Sequence, residues 1–186
     1  MILFRVAPLM LLFAAPAMAA APTWTVDGGK STIGFSGTQT GTGFSGKFTR
    51  YAARITFDPE HPETARIVVV IDLASASTGD KQRDTALPGA DWFDVAHNPQ
   101  ARFVSSSVRK TGPNNYVANG TLTIRGISRA VALPFALQIA GTQAHAKGHL
   151  QLVRTSFGVG QGSWATGQWV ALDVRVDIDI VARRAG

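Results

Sequence analysis

The sequence predicts an all-β domain of about eight antiparallel strands, closed into a barrel or packed as a sandwich, and three observations carry that prediction. Apolar and polar residues alternate with a period of two through most of the chain. Turn chemistry falls between the alternating runs. No long helical period separates them, so a parallel sheet joined by crossover helices is excluded.

The last strand is the cleanest. Val170, Leu172, Val174, Val176, Ile178 and Ile180 alternate with Ala171, Asp173, Arg175, Asp177 and Asp179. A helix repeats every 3.6 residues and cannot place apolar side chains at every second position on one face. Earlier in the chain, Ile33 with Phe35 and Ile55 with Phe57 follow the same rule, the second ending at the breaker Asp58-Pro59. The β-branched run from Arg66 to Leu73 reads as a strand, as do Phe103 with Ser105 and Leu122 with Ile124. Val131, Leu133, Phe135, Leu137 and Ile139 alternate with Ala132, Pro134, Ala136 and Gln138, and His149 to Val153 completes the set. Pro134 cannot donate to a ladder, so an edge position or a bulge is expected there. Asp27-Gly28-Gly29, Pro113-Asn114-Asn115, Asn119-Gly120 and Gly126 read as turns.

Residues 79–99 break the rhythm. Asp80 is an N-cap candidate for a short helix that Pro88 stops, and a second helix is expected around 91–96. This polar insertion, about residues 80–97, should lie over one end of the barrel.

The first residues read as a leader. Arg5 precedes the apolar Leu9-Met10-Leu11-Leu12-Phe13, and Ala17-Met18-Ala19 is a small-residue cleavage site. The apolar run is too short to anchor a chain in a bilayer, which takes about 20 residues. The expectation is a signal peptide over 1–19, with a second cleavage site at Ala21, and one domain over 20–186 exported to the periplasm. No cysteine is present, so neither disulfides nor thiolate metal sites contribute. The formal charge is +6, with Arg5 leaving in the leader. The remaining basic residues are scattered rather than clustered with aromatics, which argues against nucleic acid as a partner.

Candidate chemistry is thin. Gly41-Thr42-Gly43-Phe44-Ser45-Gly46 matches G-x-G-x-x-G but opens no helix, so it lacks the context that brings a pyrophosphate to a helix N-terminus. Gly158-Val159-Gly160-Gln161-Gly162 reads the same way. His145 and His149 on one strand face stand about 13 Å apart, too far to share a metal ion. Asp80 with Asp84 and Asp91 with Asp94 are explained by capping and solvation, and Ser105-Ser106-Ser107 has no nucleophile-elbow context. No catalytic or metal site is expected. The ten Phe and four Trp must be placed in the barrel, which either fills with side chains or encloses a ligand.

An ordered set of short motifs is informative together. It runs from Trp24-Thr25-Val26-Asp27 and Ser31-Thr32-Ile33-Gly34-Phe35 through Gly46-Lys47-Phe48 and Ile55-Thr56-Phe57-Asp58. Ile71-Asp72-Leu73-Ala74-Ser75-Ala76-Ser77-Thr78-Gly79-Asp80 follows, then Arg83-Asp84, Trp92-Phe93-Asp94-Val95 and Asn98-Pro99. Phe103-Val104-Ser105-Ser106, Gly120-Thr121-Leu122-Thr123-Ile124-Arg125-Gly126 and Arg154-Thr155-Ser156-Phe157-Gly158-Val159 close it. From about Trp24 to Val181 the chain resembles the YceI-like family of periplasmic polyisoprenoid-binding proteins; Ser156 stands where that pattern has Asp. The resemblance implies an extended lipocalin-like eight-stranded antiparallel barrel. It also implies a bound isoprenoid lipid such as a polyprenyl quinone or its precursor, with no catalytic cofactor.

On that reading the apolar lining is Ile33, Phe35, Phe48, Phe57, Val69, Ile71, Leu133, Phe135 and Val176, with the phase subject to a one-residue slip. Arg83, Asp84, Trp92 and Phe93 are assigned to the mouth, and Arg154 to a polar head group there; a local Arg83–Asp84 salt bridge is the competing account. Transient membrane contact and a homodimer are open as partners. The rival readings are a filled barrel serving as a protein-interaction or stress-response module, an outer-membrane barrel, and a lipid-modifying enzyme.

Overall fold

The computed structural model describes residues 21–185, so the expected leader lies almost entirely outside the described residues. Eleven strand segments form one antiparallel sheet: β1 (Thr23–Val26), β2 (Thr32–Gln39), β3 (Thr42–Phe48), β4 (Tyr51–Thr56), β5 (Arg66–Asp72) and β6 (Ala76–Ser77) come first. Then follow β7 (Gln100–Lys110), β8 (Asn115–Ile124), β9 (Ile127–Ala140), β10 (Gln143–Val153) and β11 (Asp173–Arg184). Three pairs of segments are single strands broken in the middle. β11 pairs with β2 through Val176↔Phe35 and with β1 through Val26↔Ala182, and β4 and β3 pair with those same two segments from the other side. β5 and β6 likewise continue each other against β4 and β3. Counting β1–β2, β3–β4 and β5–β6 as one strand each gives eight, and the β1–β11 pairing closes them into a barrel. Closure removes sheet edges, the hazard of an open antiparallel sheet.

The breaks have local causes. Asp27-Gly28-Gly29 turns the chain out of β1, and Ser31 Oγ re-enters the wall by donating to Val181 O and accepting from Val181 N. Asp72 interrupts β5–β6 by accepting from Ala74 N at the start of a 3-10 turn.

Two expectations about turns are corrected. Asn119-Gly120 is not a turn but the middle of β8, opposite a bulge between Ser105 and Ser107. A Cβ at Gly120 would collide with the Phe103 ring, so this glycine makes room for an aromatic in the wall. The second helix does not form: α1 (Lys81–Ala86) is capped by Asp80, whose side chain accepts from Arg83 N, and turns follow it. Asp94 adopts φ +51° there and accepts from Asn98 Nδ2, with His97 Nδ1 at 2.9 Å, so its side chain competes with helical hydrogen bonding.

Pro134 sits at no bulge, and β9 as a whole is no edge strand, since it pairs with β8 throughout and with β10 over part of its length. The β9–β10 ladder nevertheless ends at Phe135↔Gly148, one residue before it. Beyond that point the strands part, and Ala130, Val131, Ala132 and Pro134 of β9 with residues 149–152 of β10 line a cleft. The amides of these two segments that face the seam, rather than β8 or β11, are expected to exchange with solvent faster than those of 135–139, as hydrogen exchange read by mass spectrometry would show. Equal protection in both halves would mean the ladder is zipped.

Candidate functional site

The barrel is hollow. A cavity of about 610 Å³ runs through its interior, within the range of pockets that hold small organic ligands. The reason is the size of the inward side chains. Ala53, Ala101, Ala118, Ala144, Ala146 and Ala182 all border the cavity, where larger aliphatic residues would fill it. Large residues also gain room from glycines across the sheet. Phe35 lies over Gly46 and Phe135 over Gly148, and a Cβ at Gly46 would stand 2.5 Å from the Phe35 ring.

Aromatic clusters mark the two ends. Phe57, Tyr116 and Phe135 meet in the half bounded by the β7–β8 and β9–β10 hairpins, with ring centroids 5.4 and 5.5 Å apart. Phe35, Phe48 and Phe93 form the second cluster, at 5.1 and 6.1 Å, toward the end where the insertion crosses. Trp24, in the wall, donates its indole N–H to Phe57 O at 2.9 Å. Burial pushes the Tyr51 phenol above its ordinary value, partly offset by Ser31, so this wall residue stays neutral.

The mouth is roofed by two loops. One is the insertion containing α1. The other, residues 154–172, includes Val170 and Leu172, which alternation assigns to the last strand; β11 begins only at Asp173, and Val170 makes an isolated bridge to Gln39. Gly160 N and Gln161 N both donate to Asp91 O, Trp92 packs on Trp164 at 5.4 Å between ring centroids, and Arg125 donates to Ala90 O and Trp92 O.

The nine residues assigned to the lining, Ile33, Phe35, Phe48, Phe57, Val69, Ile71, Leu133, Phe135 and Val176, all border the cavity. At the mouth the assignments divide. Arg83, Trp92 and Phe93 border it. Arg83 donates to Gln39 Oε1 at 2.9 Å and lies over the Phe44 ring at 5.0 Å, which braces α1 against the β2–β3 hairpin. Its carboxylate neighbour is Asp80, at 3.7 Å, rather than Asp84.

Asp84 is no mouth residue. Its carboxylate accepts from Thr78 N, Thr78 Oγ1 and Ser77 Oγ at 2.6, 2.7 and 3.0 Å, which fastens α1 to the end of β6. The Thr78 bonds, its side chain first, hold the carboxyl below its ordinary 3.8. A depressed folded pKa contributes stability above the unfolded value and loses it as pH falls through the folded one. Asp84→Asn is therefore expected to lower the melting temperature at pH 7, with the gap to wild type narrowing below about pH 4. A gap independent of pH in thermal melts would assign the clasp to shape rather than charge.

Arg154 is also corrected. It borders the cavity, yet it is 5 % exposed and its donors are committed. Nε donates to Ala171 O, Nη1 to Val159 O, and Nη2 to Trp164 O, Thr166 O and Val170 O, at 2.6 to 3.2 Å. No carboxylate pairs with it among the described residues, and burial lowers its pKa. The guanidinium organises the 154–172 loop around itself, with its Cζ over the Trp92 ring at 5.4 Å from the ring centroid. A Cβ at Gly160, where φ is +85°, would overlap Nη1, so glycine is required there twice over.

The two glycine motifs set aside earlier have structural places. Thr40-Gly41 makes the β2–β3 hairpin turn with φ +47° and +80°, and the Gly158–Gly162 stretch wraps Arg154. His145 lies 2.6 Å from Asp179 on the outer face and His149 has no part in that pair; no group of three metal-ligating side chains occurs among the described residues. Ser156 contributes only its backbone, accepting from Arg129 Nε. The inward alanines are the functional residues that reading for large apolar side chains passes over; Ala144 and Ala146 on the inward phase of β10 were the available signal.

A closed antiparallel barrel, hollow and apolar within and roofed at one end, is the architecture of the lipocalin-like proteins. The chain belongs to the YceI-like domain family, whose model matches residues 24–182. It is 30% identical to a UPF0312 protein of Pseudomonas syringae pv. tomato over 171 residues, 88% of each chain. It is 34% identical to another UPF0312 protein, from Photorhabdus laumondii, over 67% of this chain and 65% of that one. Among solved structures it resembles Burkholderia cenocepacia BcnA, with a TM-score of 0.81 and 34% identity over 84% of this chain and 98% of that one. A polyisoprenoid-binding domain from Saccharophagus degradans shares the fold, with a TM-score of 0.69 at 15% identity over 90% of this chain and all of that one.

Proposed function

We propose that this protein is a non-catalytic periplasmic carrier or store that holds a long-chain isoprenoid lipid, such as a polyprenyl quinone or its precursor, inside the barrel. The observation that carries the reading is the hollow interior, apolar along the barrel and bordered by polar side chains such as Gln39, Thr42, Gln82 and Arg83. A hydrocarbon chain placed there gains roughly 25 cal/mol per Å² of apolar surface removed from water, several hundred Å² for a chain of several isoprene units. That suffices for tight binding after ordering costs. The Saccharophagus degradans polyisoprenoid-binding domain supports the ligand class. The lining residues hold the chain, and Arg83, Trp92 and Phe93 border its polar end. The outer face supports a barrel that works in water: β10 and β11 carry Lys147–Asp179 and Arg175–Asp177 pairs at 3.0 and 2.8 Å, where a membrane barrel needs an apolar band. The lipid is exchanged in transient contact with a membrane.

The test is mass spectrometry of organic extracts from protein purified from periplasm without detergent. A stoichiometric prenyl lipid is expected and would name the cargo. An extract that stays empty after incubation with quinones would overturn the carrier reading in favour of a protein-binding module.

A further inference from the structure

The roof and the wall of this barrel differ in what opening them would break. The roof is cross-braced by Arg154, by Arg83 on Gln39, by Arg125 on Ala90 and Trp92, and by the Asp91 carbonyl. Between β9 and β10 the wall has no ladder beyond Phe135↔Gly148. Continued past that pair, the register would set Ala132 against Gln151 and Leu133 against Leu150, but the strands diverge and a cleft of about 370 Å³ lies between them. Pro134 has no N–H with which to extend the ladder from its end. Leu150 and Leu152 border both this cleft and the central cavity, so side chains alone separate the interior from the outside along the seam. On the β9 side the outward side chains beside it are small, Ala130 and Ala132, and the longer exposed ones, His149 and Gln151, stand only on the β10 side.

Resting on the carrier reading, we infer that the isoprenoid chain enters and leaves the barrel sideways, through the β9–β10 seam, rather than through the roofed mouth. Rotamer changes at Leu150 and Leu152 open the path, and no backbone hydrogen bond has to break. A flexible chain threads such a slot one isoprene unit at a time, while the roof stays closed over its polar end.

The chain contains no cysteine, so engineered thiols are the only reactive ones. Ala132→Cys with Gln151→Cys, joined by a short bis-maleimide, closes the seam; Gln39→Cys with Arg83→Cys, joined in the same way, locks the mouth. Transfer of a polyprenyl quinone from phosphatidylcholine vesicles to each protein is followed by quenching of tryptophan fluorescence. Closing the seam is expected to slow uptake and release at least tenfold while leaving the amount bound at equilibrium within twofold, because the cavity is untouched. The same double variant without cross-linker should exchange at the wild-type rate, which separates a closed route from a damaged fold. Unchanged transfer across the closed seam, or arrest by the mouth lock alone, would overturn the inference and leave the carrier reading standing. Failure of wild type to take up any quinone would instead remove the carrier reading, and this inference with it.

Discussion

Arg154→Ala is expected to lower the stability of the protein by about 3–5 kcal/mol, because a buried cation that satisfies several carbonyls is replaced by nothing that can. Five backbone carbonyls of the 154–172 loop converge on its guanidinium, and among the described residues no other side chain donates to them. For a domain of this size the loss corresponds to a fall in melting temperature of about 10–15 °C. Arg154→Lys separates charge from shape. Lysine keeps the cation but offers three donors at one point, which cannot reach carbonyls arranged around a planar fork. The lysine variant is therefore expected to melt close to the alanine variant. A lysine variant as stable as wild type would show that the site needs only positive charge, and would return Arg154 to the role of a free cation at the mouth.

If the barrel holds a lipid as proposed, Phe135→Asp carries the largest expected effect on binding, a loss of lipid retention of at least about 100-fold. Phe135 stacks on Tyr116 at 5.5 Å, opposite Gly148, in the aromatic cluster at the end of the cavity away from the insertion. A carboxylate there either stays ionised in an apolar cavity or is forced to take up a proton, and both states are poor company for a hydrocarbon chain. Because the change also removes packing, Ala146→Phe serves as the companion. It adds apolar volume to the cavity from β10 and introduces no charge. On the proposed carrier reading, both purified variants should contain little or no lipid by mass spectrometry. Lipid content equal to wild type in both would mean that the chain is held somewhere other than this cavity.

Both predictions depend on side chains whose types are visible in the sequence but whose circumstances are not. Arg154 stands in one of the short motifs that carry the family resemblance, and a cation near a mouth invites pairing with a head group. Only the folded loop shows that main-chain carbonyls from 159 to 171 already surround it. Asp84 follows the same course: adjacent to Arg83 in sequence, it turns instead to Ser77 and Thr78. Asn119-Gly120 carries turn chemistry, yet it serves a bulged strand in which a glycine admits the Phe103 ring. Local chemistry permits each alternative, and neighbours distant in sequence choose between them.

What the sequence determined by itself was the alternation, and with it the strands, the all-β class and the sets of residues, such as Ile33 with Phe35 or Leu133 with Phe135, that share one face of a strand; the closed barrel came with the family resemblance, and which face points inward was left to the fold. The period of two is a local property, set by where successive Cβ atoms point, so it survives in any window of the chain. Whether that interior is filled or hollow depends on the volumes of inward side chains from eight strands taken together. Only the tertiary structure brings Ala53, Ala101, Ala118, Ala144, Ala146 and Ala182 around the same space and leaves about 610 Å³ between them. The seam between β9 and β10 belongs to the same class, because a gap in a wall is a relation between two strands and neither strand contains it.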